Sequence, residues 1–200
     1  MSFRIEEKLY IKKENLSLFK DFLFKKSAKK IYQPRVINSL YFENKNFDMF
    51  HDSIEGLTPR KKIRVRNYPK DQKKELYLEV KNSAVEGRHK TREIIDEKEF
   101  KERKSYGILD HQYGICYPKI YVKYSREYLL IEDVRISIDE NIEYADYFSN
   151  QIIRDDKVVV ELKTSINKNL DDLIEDFPNQ RIRFSKYCFG IENLYNLRTN

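Results

Sequence analysis

Eight stretches of this chain alternate apolar and polar or charged residues at every second position, which restricts it to a sheet-rich fold whose strands have one apolar and one polar face. In 3–11 the apolar side is Phe3, Ile5, Leu9 and Ile11, against Arg4, Glu6, Lys8 and Tyr10. In 36–43, Leu40 and Phe42 oppose Ser39, Tyr41 and Glu43. Segment 60–67 sets Arg60, Lys62, Arg64 and Arg66 against Ile63 and Val65, and 75–81 sets Glu75, Tyr77, Glu79 and Lys81 against Leu76, Leu78 and Val80. Segment 88–95 aligns Arg88, Lys90 and Arg92, and 119–126 aligns Tyr124 with Arg126, though Ile120 and Val122 share that face. Segment 132–139 opposes Asp133, Arg135, Ser137 and Asp139 to Val134, Ile136 and Ile138, and 157–163 opposes Lys157, Glu161 and Lys163 to Val158, Val160 and Leu162.

Helical spacing fills the gaps. Leu16, Phe19, Phe22 and Leu23 form one apolar stripe. Phe47 and Phe50 mark a short helix ending near His51, and 96–113 reads as a helix interrupted around Gly107. Leu170, Leu173, Ile174 and Phe177 give a helix stopped by Pro178, and 187–198 reads as another. A sheet with one apolar face must cover it, and these helices are the available cover, so the expected class is α+β. The charged face then has two outcomes. It is solvated on an open sheet, or the eight strands close into a barrel and turn it inward.

Composition narrows the class. The chain has 200 residues, which suits a single domain over 1–200, and only five Gly and five Pro, with no linker tract. Apolar residues make up 40% and charged residues 36%, and no stretch approaches the roughly 20 apolar residues of a membrane span. The first residues have no apolar signal region, so a cytoplasmic chain is expected. Cys116 and Cys188 are too few for a disulfide framework and read as packed thiols. A net charge of +6 calls for a polyanionic partner.

The ordered motifs specify that partner. Arg4-Ile-Glu-Glu-Lys-Leu-Tyr10, Ile37-Asn-Ser-Leu-Tyr-Phe42, Arg60-Lys-Lys-Ile-Arg-Val-Arg66, Leu78-Glu-Val-Lys81 and Lys90-Thr-Arg92 come first. Tyr124-Ser-Arg126, Arg135-Ile-Ser-Ile-Asp139, Val160-Glu-Leu-Lys163 and Phe184-Ser-Lys-Tyr187 follow. In that order they resemble the polyphosphate polymerase domain of the vacuolar transporter chaperone (VTC) family, within the triphosphate tunnel metalloenzyme (CYTH-like) superfamily. The resemblance implies a closed eight-stranded antiparallel β-tunnel with helices outside. It implies that Lys8, Arg64, Arg66, Lys81, Lys90, Arg126, Arg135 and Lys186 line the tunnel, and Lys62, Arg92 and Lys163 extend the same strand faces. Tyr124 and Ser185 match phosphate hydrogen-bond donors, and Glu161 matches the glutamate that holds divalent manganese or magnesium, with Glu6 a further ligand. Glu6 and Glu79 read equally well as salt-bridge acceptors. The regulatory domain and membrane segments of the eukaryotic complex are not in this sequence, so export would need a membrane-protein partner.

The implied chemistry suits these residue types. Phosphoryl transfer asks the protein mainly for positioning and charge stabilisation. Arg64, Arg66, Arg126, Arg135 and Lys186 would act on the transferring group. Arginine forks bind phosphate oxygens in pairs and stay charged, and Arg64 and Arg66 share a face about 7 Å apart. The attacking oxygen is supplied by the acceptor phosphate, so Ser39, Ser137 and Ser185 are not nucleophiles, and His51, His89 and His111 read as surface imidazoles. Lys25, Lys26, Lys29 and Lys30 read as a solvated helix end. The leading expectation is ATP-dependent extension of polyphosphate. The others are a triphosphatase on the same scaffold and a non-enzymatic polyanion or nucleic-acid binder. The triphosphatase branch carries Glu-x-Glu-x-Lys on its first strand. Here Arg4 stands in the first of those places, which favours building over cutting. Nucleic acid is not expected, because most of the 15 Tyr and 12 Phe follow the apolar periodicity.

Overall fold

A computed structural model describes residues 4–165, 170–175, 177 and 180–197 of the chain. Phe3, Pro178 and Arg198, and the side chain of Arg4, lie outside the described residues. In chain order the strands are β1 (Arg4–Lys12), β2 (Lys29–Glu43), β3 (Arg60–Asn67), β4 (Leu76–Ala84), β5 (Gly87–Ile95), β6 (Ile108–Asp110), β7 (Gly114–Ile131), β8 (Val134–Asp146), β9 (Ile152–Asp155), β10 (Lys157–Ser165) and β11 (Gln180–Arg181). The helices are α1 (Leu16–Lys25), α2 (Asp48–Glu55), α3 (Glu97–Tyr106), α4 (Asp171–Ile174) and α5 (Lys186–Tyr195).

All eight alternating segments are strands, so the antiparallel α+β class stands. The closed eight-stranded tunnel does not. The sheet has eleven strands, in the hydrogen-bonded order β11-β1-β10-β8-β7-β2-β3-β4-β5, with β6 on β7 and β9 on β8. Its end strands β11 and β5 are not paired with each other, so the pairing path is open among the described residues. The additional strands β6, β9 and β11 span only three, four and two residues, too short for alternation to mark them.

Three further boundaries differ. Strand β2 begins at Lys29, so Lys29 and Lys30 are strand residues rather than a helix end, and Lys30 pairs with the buried Glu127 at 3.2 Å. Helix α2 continues four residues past His51, to Glu55. Helix α3 is started by a capping box, in which Glu99 N donates to Asp96 Oδ1 at 2.7 Å and Asp96 N to Glu99 Oε2 at 3.3 Å. It ends at Gly107, where φ is +80° and a Cβ would come within 2.6 Å of Ile115 Cγ2 and 2.9 Å of the Cys116 carbonyl oxygen. The chain there turns into β6, so the helix does not resume toward residue 113.

The fold divides into two compact units. Unit 1 comprises Met1–Val36, Tyr124–Ile142 and Arg154–Phe184, and unit 2 comprises Ile37–Lys123, Glu143–Ile153 and Ser185–Asn200. In unit 1, strand β1 lies between β10 and β11, and β10 pairs with β8. The core follows the predicted apolar faces. Leu9, Ile11, Val134, Ile136, Ile138, Val158, Val160 and Leu162 cluster with Phe19 and Leu23 of α1 and with Leu170, Leu173 and Ile174. Phe177 closes against Phe19 with ring centroids 4.9 Å apart.

In unit 2, strands β3, β4 and β5 form an antiparallel meander with the second half of β2. Leu40, Phe42, Ile63, Val65, Leu76 and Leu78 are buried on one face. Helix α5 packs closely on its neighbours. A Cβ at Gly190 would stand 2.7 Å from Ile120 Cδ1 and 2.8 Å from Tyr144 Cδ1. The start of α2 is organised by Glu43, a fully buried carboxylate that alternation alone does not single out. It accepts bonds from the backbone N–H groups of Asn44, Met49 and Phe50 at 2.9, 3.2 and 3.0 Å, and from the Tyr187 hydroxyl. Its burial pushes the carboxyl up to about 7 against these bonds.

Strand β7 resolves the mixed face read at 119–126. Even-numbered residues Cys116, Ile120, Val122 and Tyr124 are buried, then odd-numbered Glu127, Leu129 and Ile131. The phase changes between 124 and 127, which moves Arg126 out of line with the apolar row. Cys116 and Cys188 are both buried free thiols, and His51, His89 and His111 are exposed. No helix among the described residues is long and apolar enough to cross a membrane.

Candidate functional site

The polar faces are only partly buried, with Lys81, Lys90, Arg92 and Arg135 exposed. Arg64 and Arg66 are 8% and 7% exposed, Glu79 is 0%, and Ser137 and Asp139 are 5% and 1%. A buried charge has to be paired or hydrogen-bonded, which makes the buried members of these faces the candidate site residues.

In unit 2 the register stacks the basic residues in rows across β2, β3, β4 and β5. One row is Ser39, Arg66, Tyr77 and Ile94, and the next Tyr41, Arg64, Glu79 and Arg92. Lys62, Lys81 and Lys90 form the third. Glu79 is the counter-charge of this array. Arg64 donates to its Oε2 from Nε at 2.8 Å and Nη2 at 2.5 Å, and Lys90 donates to Oε1. Arg66 Nη1 and Arg92 Nε lie 3.8 and 3.7 Å from the same carboxylate. Burial alone would raise the Glu79 carboxyl, but Arg64, Arg66 and Lys90 outweigh it and hold it at about 2. Glu79 is thus shared by four cations.

Two neutral groups orient the arginines. Arg64 Nη1 donates to the Tyr41 hydroxyl at 2.8 Å, and Arg66 Nε to Ser39 Oγ at 3.1 Å. Burial would push the Tyr41 phenol up, but Arg64, Arg66 and Lys81 reverse this and hold it at about 8. Tyr41 is therefore expected to ionise about two pH units below an ordinary tyrosine, seen as phenolate absorbance in an ultraviolet pH titration. That early transition should disappear in Arg64→Ala. Ser185 is the N-cap of α5, accepts from Cys188 N at 3.3 Å, and also accepts from Lys62 Nζ at 2.9 Å. Lys186, the next residue, opens the helix.

In unit 1, β1 and β10 interleave two lysines with two glutamates: Lys8 stands opposite Glu161 and Glu6 opposite Lys163. Lys163 Nζ lies 3.2 Å from Glu161 Oε2 and 3.7 Å from Glu6 Oε2, and Lys8 Nζ lies 3.9 Å from Glu6 Oε1. Lys8 also donates to the Phe184 carbonyl at 2.8 Å. The carboxyls of Glu6 and Glu161 are hydrogen-bonded to each other, and that contact, ahead of burial, raises Glu6. Burial opposes ionisation of Glu161, but the bond from Glu6 and the charges of Lys163, Lys8 and Arg126 hold it well below the carboxylate range. Arg126 forks onto the buried Asp139, Nε to Oδ1 at 2.5 Å and Nη2 to Oδ2 at 2.7 Å, with its guanidinium 5.3 Å from the Tyr124 ring centroid. Arg135 is exposed on β8, opposite Lys163.

A divalent ion suits the Glu6–Glu161 pair. The two carboxylates lie on paired strands and are hard oxygen donors of the kind that would hold magnesium or manganese together with water and phosphate oxygens. Among the described residues no group of three or more His, Cys, Asp and Glu could hold a metal alone, so the ion would share its shell with substrate. Sequence reading singled out the basic residues and Glu161. It did not identify Tyr41, Ser39 or Asp139 as their partners, because partners across strands depend on register, which alternation leaves open.

The fold defines a class of antiparallel-sheet proteins that carry paired basic and acidic residues on one face of their strands. A candidate adenylate cyclase of Bacillus halodurans superposes with a TM-score of 0.62 at 12% identity, covering 92% of this chain and 94% of that one. The PH1012 protein of Pyrococcus horikoshii superposes with a TM-score of 0.53 at 15% identity, covering 98% and 92%. At these identities the likeness is one of fold. No curated protein matches the sequence. The VTC domain profile matches residues 3–195, and the chain belongs to the VTC domain family. Membership and fold together support phosphoryl transfer on a nucleoside triphosphate or polyphosphate, in a family that generally uses divalent metals.

Proposed function

We propose that this chain is one VTC-type domain that transfers the γ-phosphoryl group of ATP to the end of an inorganic polyphosphate chain. The observation that carries the reading is the array around the buried Glu79, where the buried Arg64 and Arg66 and the exposed Lys90 and Arg92 share one carboxylate. Guanidinium and ammonium groups gathered on one face in this way also suit the oxygens of a phosphate chain.

In this reading the terminal oxygen of the acceptor chain attacks the γ-phosphorus, the β–γ bridging bond breaks, and ADP leaves. Arg64 and Arg66 hold neighbouring phosphates and neutralise charge on the transferring group, their planes set by Tyr41 and Ser39. Lys62, Lys81 and Lys90 carry the next phosphates along the face, with Ser185 and Lys186 contributing from the start of α5. Unit 1 taken by itself offers Arg126, Arg135, Lys8, Lys163 and Tyr124 as a second set of groups for phosphate oxygens. Glu6 and Glu161 would hold a divalent ion, which when bound supplies charge neutralisation at the phosphate oxygens. A membrane-protein partner for the product belongs to the same reading.

The test is incubation of purified protein with ATP and manganese, with long phosphate chains resolved on a gel. Chain growth is expected. Phosphate release from tripolyphosphate without growth would favour the triphosphatase alternative. Retention of polyphosphate with neither reaction, across several nucleotides and metals, would leave a binding module. Preference for RNA over polyphosphate in competition would make it a nucleic-acid binder.

A further inference from the structure

The basic face of unit 2 ends in rings. Row by row it presents Lys62–Lys81–Lys90, then Arg64–Glu79–Arg92, then Arg66–Tyr77–Ile94, after which β3 stops at Asn67 and Tyr68 follows. The two tyrosines meet edge to face, with centroids 5.9 Å apart at 71°. The Arg92 guanidinium lies 3.6 Å over the centre of the Tyr77 ring and 6.0 Å from that of Tyr68. Tyr77 donates its hydroxyl to Glu75, which anchors the far end of the ring. Ile94, opposite Tyr77, is 62% exposed.

Phosphate binding calls for none of these rings. A half-buried tyrosine with a guanidinium plane on it, one row beyond the arginines, suits a flat aromatic group at the end of a phosphate chain. The geometry points to Tyr77, Tyr68 and Arg92 as a stacking platform for the base of a bound nucleoside triphosphate, a purine giving the larger overlap. The phosphates would lie on the Arg64 and Arg66 rows and the base would stack at the Tyr77 end. Stacking of this kind reads the π-face and not the hydrogen-bonding edge, so ATP and GTP would bind alike. Inorganic polyphosphate has no base and would ignore the platform. The inference rests on the phosphate-binding reading of this face.

Calorimetric titration of ATP, GTP and inorganic tripolyphosphate into wild type, Tyr77→Leu, Tyr68→Leu and Tyr77→Phe tests it, with the same divalent metal throughout. Loss of one base stack should weaken ATP and GTP about tenfold in the two leucine variants and leave tripolyphosphate within about twofold. Tyr77→Phe keeps the ring and should match wild type. Unchanged tripolyphosphate affinity also shows that a variant has folded. Equal weakening of all three ligands, or none for ATP in both leucine variants, would overturn the platform. If wild type binds ATP and tripolyphosphate but grows no chain, the polymerase reading fails and the platform is still decided by the variants. If wild type binds neither, the phosphate reading and the platform fall together.

Discussion

Glu161→Ala is expected to reduce chain growth by about 1,000-fold or more, the scale of losing several kcal/mol of metal-derived charge stabilisation. Polyphosphate binding should survive. Glu161 is an acceptor among donors, ion-paired with Lys163 at 3.2 Å and hydrogen-bonded to Glu6. Removing it frees Lys163 for phosphate and leaves the unit 2 array untouched. Glu161→Gln keeps the shape and a bond to Glu6 but loses the charge, so it should be nearly as inactive. Initial rates with saturating manganese, beside a polyphosphate binding titration, separate the two effects. Full activity in either variant would remove Glu161 from the metal site.

Glu79→Ala is the second large effect, and here the expected loss is in the fold. The carboxylate has no exposure, and Arg64 and Arg66 beside it are nearly as buried. Deleting one partner of a buried charge set typically costs about 3–5 kcal/mol, because the remaining charges are left uncompensated. Urea unfolding of the variant should show that loss. Added tripolyphosphate should raise its melting temperature more than that of wild type, since a phosphate replaces the missing counter-charge. The same group sets an acid limit. Its carboxyl is held at about 2, below an ordinary 4.5, so its contribution to stability is complete above 4.5 and lost as pH falls toward 2. Wild type should lose stability across that window, and Glu79→Gln should lose less of its own. Equal acid profiles would show that the cations do not depend on this carboxylate.

Much of the architecture is legible in the alternation itself. Period two places Leu76 and Leu78 inward and Glu79 and Lys81 on the other face whatever the register, because successive side chains of a strand point to opposite sides. The same rule put Arg64 and Arg66 on one face, and the structure has them there with Ile63 and Val65 on the other. What misled was length and closure. Alternation left closure open and the family resemblance implied it, while Gln180–Arg181 spans two residues, too short to show a period. The helix read over 96–113 does break at Gly107, as its interruption there indicated, but the chain enters β6 instead of resuming the helix.

Alternation and charge by themselves determined that this chain builds antiparallel strands with one ionised face, and the ordered motifs named which basic residues that face carries. Period two gives a side chain its side of the sheet but not its neighbour across the strand. Only the tertiary structure decided that Arg64 meets Glu79 and Tyr41, that Lys163 pairs with both Glu161 and Glu6, and that Arg126 forks onto Asp139. Register and burial set those partners, and with them which charges are neutralised and which are left to a phosphate.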